Sequence, residues 1–167
     1  MQITFIDHHD SFSWNVISWL GRIPNCEVLR FEYDQFLMEK PIPRDCPLVI
    51  SPGPGSPANY GLTRDLIDRS LDRVPILGIC LGHQLLGEAL GFETVASNQT
   101  WHGRKRNIAV TSKRGIFQYC PGEINMATYN SLKLIGEGDV KNNLFVSARR
   151  GEEGEIEEED DDYIDND

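Results

Sequence analysis

Between Val74 and Gly91 the chain changes its hydrophobic period: the run reads VPILGICLGHQLLGEALG. Val74 to Ile79 is a short apolar stretch rich in β-branched residues, the pattern of a buried strand, whereas Leu81, Leu85, Leu86 and Leu90 then recur at helical spacing. Cys80 falls at the changeover, with Gly78 and Gly82 two residues away on either side. A strand that turns directly into a helix brings the two backbones close together, so small residues are needed around the turn. The residue at the turn is lifted out of the sheet and set against the helix N-terminus, where the dipole and unpaired N–H groups favour an anion. A lone cysteine more often simply packs. Here the two glycines, the strand before and the helix after single Cys80 out as a nucleophile, expected to be thiolate-prone.

The rest of the chain supplies a sheet for that turn to stand on. Met1 to Ile6 reads as a first strand, followed by the polar turn Asp7-His8-His9-Asp10-Ser11 and a helix through Phe12, Val16, Trp19 and Leu20 that Gly21 ends. Cys26 to Phe31 and Asp45 to Ser51 are the next strands, and Tyr33 to Pro47, with three prolines, reads as loop with at most one helical turn. Ser51-Pro52-Gly53-Pro54-Gly55-Ser56-Pro57 holds too much Gly and Pro for regular structure and predicts a rigid loop with exposed N–H groups. Leu62 to Leu71 is amphipathic, with Thr63 near its cap. Strands near Ile3–Ile6, Val28–Phe31, Leu48–Ser51 and Pro75–Ile79, alternating with helices, predict an α/β fold: an open, mostly parallel, flavodoxin-like sheet with helices on both faces. The Gly-Pro loop then lies at the carboxyl end of a strand, where such sheets place ligands.

Composition narrows the function classes. The 167 residues, 40% hydrophobic, fit one domain, with no apolar run long enough to span a membrane. Cys26, Cys46, Cys80 and Cys120 form no Cys-x-x-Cys pair, so neither zinc nor a disulfide framework is indicated, and with no signal peptide a reducing cytoplasm is the expected setting. The net charge of −10 is concentrated at the end: residues 152–167 carry eleven acidic and no basic residues, leaving 16 basic against 15 acidic elsewhere. Residues 151–167 are expected to be a disordered acidic tail on a domain of residues 1–150. Arg104-Lys105-Arg106 is too short a cluster for a nucleic-acid stripe. His8 and His9 are adjacent, but no carboxylate or cysteine cluster at ligand spacing joins them, and no metal is expected.

Gly78, Cys80, Gly82 and Gln84 reproduce the Gly-x-Cys-x-Gly-x-Gln signature of the class I glutamine amidotransferases, and the chain resembles that family. Within it, Asp7, Asp10, Ser11, Phe12 and Asn15, the Ser51–Pro57 loop and Tyr129-Asn130-Ser131-Leu132 resemble the amidotransferase subunits of anthranilate synthase and aminodeoxychorismate synthase. The resemblance covers Met1 to about Ala148 and implies hydrolysis of the glutamine amide through a γ-glutamyl thioester on Cys80. Ammonia would pass to a chorismate-using synthase subunit in a hetero-oligomer. It implies Gly55 and Leu81 N–H groups as the oxyanion hole, and Gly53, Pro54, Gly55, Gln84, Ser131 and Leu132 as the glutamine contacts. No cofactor is implied. His83, three residues beyond the cysteine, reads as a residue that packs or supports the site from behind rather than as its base.

Three departures matter. His8 and His9 stand where those subunits have Asn and Tyr, and Asn130 stands where they usually have His. The family's Phe-His-Pro-Glu strand, whose His and Glu complete the triad, has no counterpart, because none of His8, His9, His83 and His102 is followed two residues later by Glu. Two functional readings follow: a glutaminase subunit, or a degenerate partner that binds glutamine or a synthase without cleaving the amide. An unrelated cysteine hydrolase would leave the Gly-Pro loop, Gln84 and Ser131-Leu132 as coincidences.

Overall fold

The computed structural model describes residues 1–34, 46–113, 115–136 and 148–150. The expected acidic tail and most of the Tyr33–Pro47 loop lie outside the described residues. Two compact units are present, one built on Met1–Thr100 with Asn130–Leu144, the other on Trp101–Tyr129 with the segment from Phe145.

The first unit carries β1 (Gln2–Asp7), α1 (Ser13–Leu20), β2 (Glu27–Glu32), β3 (Leu48–Ile50), α2 (Gly61–Ser70), β4 (Ile76–Gly78) and α3 (Leu81–Ala89). Its sheet has the order β2-β1-β3-β4 and every pair is parallel, with Ile3 beside Val28, Thr4 beside Leu48 and Leu48 beside Ile76. The period of two sorts the strands onto two cores. Ile3, Phe5 and Val49 face α1 through Val16, while Ile6, Leu48 and Ile50 face α2 and α3 through Leu66, Ile67, Leu81 and Leu85. Helices therefore cover both faces, as expected. Each fully buried Phe, Ile or Leu of these layers contributes about 1.5–3 kcal/mol.

Two details differ from the sequence reading. The Val74–Ile79 run is not fully buried, since Leu77 is 41% exposed; β4 stands last in the described strand order. Thr63 does not cap α2, whose N-cap is Tyr60; its hydroxyl instead meets His8. Beyond α3, β5 (Glu93–Val110), β6 (Glu123–Ile135) and β7 (Ala148–Arg150) form a second sheet in the order β6-β5-β7, β7 antiparallel to β5. Only short pieces of these strands are marked by local alternation.

Candidate active site

The turn after β4 is held by backbone on every side. Ile79 N–H donates to the Ile50 carbonyl (3.0 Å), and Gly82 N–H is shared between the carbonyls of Ile79 (2.9 Å) and Ser51 (3.2 Å). A methyl on Gly78 would overlap the Gly82 carbonyl, and one on Gly82 the Ile50 carbonyl, so glycine is required at both. Cys80 occupies the N-cap of α3 at φ 53°, ψ −106°, a left-handed conformation that costs a non-glycine residue about 1–3 kcal/mol and is tolerated where the surroundings over-determine it. Its carbonyl accepts from Gln84 N–H (3.1 Å), and the residue is exposed. The elbow forms as the sequence implies.

The electrostatics of the sulfur differ from expectation. Although the residue as a whole is exposed, neighbouring atoms desolvate the sulfur and push the Cys80 thiol up; a hydrogen bond from Leu81 N–H pulls it down, and the negative charge of Asp10 pushes it up again, for a net rise. The Leu81 N–H at the helix N-terminus favours the thiolate but is outweighed.

The Gly-Pro loop meets this elbow. Gly53 is wedged between the Leu81 side chain, which a Gly53 methyl would overlap, and His8, whose Cβ would be 2.6 Å from that methyl. Tyr60 Oη donates to the Pro54 carbonyl (2.8 Å), Gly55 is at φ 76°, and Ser56 N–H donates to Asn59 Oδ1 (3.2 Å). Gln84 is buried on α3, one turn past Cys80. Ser131 and Leu132 lie within β6, Ser131 exposed and Leu132 half-buried. Two residues on, Leu134 packs over Gly87 of α3. Asn130 Nδ2 donates to the Leu132 carbonyl (3.0 Å).

The histidines separate cleanly. His83 stands on the first turn of α3 away from the inward face taken by Leu81, Gln84 and Leu85; its residue surface is exposed, yet neighbouring chain desolvates the ring and lowers its pKa. His9 faces Asp34 at 3.4 Å, and with Glu32 these donors lie within 4.8 Å of one another, a proximity that only the folded β1 and β2 ends create. Arg30 also bonds Glu32 (3.0 Å). His8 is fully buried, with Ser51 and Thr63 on its ring nitrogens and Tyr33 and Tyr60 against its ring. Sequence reasoning missed this residue. The one available signal was its departure from the family's Asn.

A parallel sheet with a strained cysteine at a strand-to-helix turn, faced by a Gly-Pro loop, defines an α/β protein built around a cysteine elbow. The family model for glutamine amidotransferase class-I matches residues 4–163, and the chain belongs to that family. It is 35% identical over 158 residues to the bifunctional protein TrpGD of Thermotoga maritima, covering 93% of this chain and 26% of that protein. It is also 32% identical over 156 residues to anthranilate synthase component 2 of Lactococcus lactis (92% of this chain, 76% of that protein). With the corresponding protein of Thermus thermophilus it shares 33% identity over 155 residues (92% and 74%). The chain thus spans about a quarter of the bifunctional relative and about three quarters of the two others. Among solved structures, a glutamine amidotransferase from Thermotoga maritima superposes with a TM-score of 0.71 at 17% identity, over 81% of this chain and 62% of that one, which supports the fold.

Proposed function

We propose that this chain is the glutaminase subunit of a chorismate-using synthase, anthranilate synthase in first place given its relatives and aminodeoxychorismate synthase in second. The observation that carries the reading is the contact of Gly53 with Leu81, which joins the Gly-Pro loop to the strained Cys80 elbow. Glutamine enters between the loop residues Gly53, Pro54 and Gly55 and the helix bearing Gln84, its α-amino and carboxylate groups held by the backbone of Ser131 and Leu132. The Cys80 sulfur adds to the side-chain amide carbon, and the oxyanion is held by the N–H groups of Gly55 and Leu81. Each such donor is worth about 3 kcal/mol of barrier. The C–N bond then breaks, ammonia leaves with a proton, and water releases glutamate from the thioester and returns the thiol.

Because burial and Asp10 push the Cys80 thiol up, its proton must go to a base in the working complex. His8 does not serve, since both ring nitrogens are held by Ser51 and Thr63. That observation favours a second reading, a subunit that binds glutamine without turnover. Ammonia release, measured on the chain alone and with an anthranilate synthase component I, separates the two. The expected result is slow release alone and faster release in the complex, with Cys80→Ser abolishing glutamine-dependent but not ammonium-dependent anthranilate formation. Glutamine binding without release in either setting would establish the binding subunit instead.

A further inference from the structure

We propose that His8 is a positioning residue, a buried neutral imidazole that clamps the Ser51–Gly55 loop against the nucleophile elbow. The hydrogen-bond inventory around it fixes its tautomer. The Ser51 hydroxyl donates its single proton to the Pro52 carbonyl and faces both His8 N–H (2.9 Å) and His8 Nδ1 (3.1 Å). Having spent its proton, the oxygen accepts from both, so Nδ1 carries hydrogen. Nε2 is then the acceptor, and Thr63 Oγ1 donates to it at 2.9 Å. No polar atom of the ring is left unsatisfied, as a fully buried imidazole requires.

The ring reaches both halves of the loop. Through Ser51 it holds the start. Through Tyr60, packed edge-on at 4.8 Å, it supports the hydroxyl that holds the Pro54 carbonyl, and Tyr33 stacks on it at 5.4 Å. Gly53 sits directly between His8 and Leu81, so the ring's position sets how closely the loop approaches the first residue of α3. Burial of the ring holds its pKa at about 4, in accord with a neutral clamp.

This inference rests on the reading of Gly55 as an oxyanion donor, and two alkylating probes separate them. A chloroketone analogue of glutamine reacts at Cys80 with its carbonyl in the oxyanion site, the S–C bond forming as chloride leaves. Iodoethane alkylates the same sulfur as iodide leaves and carries no carbonyl to place there. His8→Leu is expected to slow the chloroketone about tenfold or more while leaving the iodoethane rate within about twofold. His8→Asn, which keeps a donor near the Nδ1 position, should recover much of the loss. A chloroketone rate in His8→Leu within twofold of the parent, or an equal fall with both reagents, overturns the clamp. If glutamine fails to protect the parent chain, the oxyanion reading fails instead. Amide hydrogen exchange then decides on His8: selective acceleration at Gly53, Gly55 and Ser56 in His8→Leu supports the clamp, and unchanged exchange there refutes it.

Discussion

Gly82→Ala is expected to lower stability by about 2–4 kcal/mol, the cost of forcing a buried overlap that cannot relax. The added methyl would fall on the Ile50 carbonyl and within 2.8 Å of Ile50 Cβ, both on the central strand β3. Moving α3 outward is the one escape. It would pull Gly82 N–H from the Ser51 and Ile79 carbonyls and lift the buried Leu81 and Leu85 off the sheet. In a domain of this size the melting temperature should fall by roughly 5–15 °C. Gly61→Ala is the matched control, because nothing lies within 4 Å of a methyl at the start of α2; it should be neutral or slightly stabilising. Thermal unfolding of both variants by circular dichroism checks the pair. Equal melting temperatures would mean that α3 does not pack on β3 as described.

Acid should destabilise the fold well above the carboxylate range. Burial lowers the His8 pKa from 6.5 to about 4, the nearby Asp7 charge opposing and His9 adding to the shift. Between pH 6.5 and pH 4 the unfolded chain therefore takes up a proton that the folded chain refuses, and stability falls as pH falls. Over the full window a shift of that size amounts to roughly 3 kcal/mol. Asp7 acts in a different window. Burial raises its pKa, but the Ser13 hydroxyl (2.7 Å), Arg30 and the His9 N–H outweigh it and leave it below 3.8, so its contribution is held above that value and lost below it. Urea unfolding at pH 7, 5.5 and 4.5 should show the decline in the parent and a flatter profile in His8→Leu. A parent profile that is flat to pH 4.5 would contradict the buried neutral ring.

What the sequence revealed and what it concealed divide along local and non-local physics. The elbow was legible because the strand period, the helix period and the two glycines all lie within Val74–Gly91 and agree. A mostly parallel sheet with helices on both faces was legible from the regular alternation of strands with helices up to Gly91. The His8 clamp was not legible, since its partners Tyr33, Ser51, Tyr60 and Thr63 are brought to it only by the fold, and a histidine beside a histidine suggests a metal or nothing. The proximity of His9 to Glu32 and Asp34 was hidden for the same reason. Thr63 misled as a cap because a hydroxyl near a helix start has a second use, as donor to a buried ring. The state of the Cys80 thiol was misjudged because dipole and N–H contributions can be reasoned from the motif, whereas desolvation and the approach of Asp10 cannot.

The central claim is that Cys80 is the nucleophile of a glutamine site, and mass-spectrometric mapping of covalent labelling tests it most directly. With a glutamine-shaped chloroketone the chain should be modified at Cys80 faster than at Cys26, Cys46 or Cys120, at a rate still climbing with pH where an ordinary thiol levels off, because the thiol is raised. Added glutamine should slow that modification and leave labelling of the other three cysteines unchanged. Labelling of Cys80 that is no faster than the others, or that glutamine does not slow, would show that the elbow is not a glutamine site.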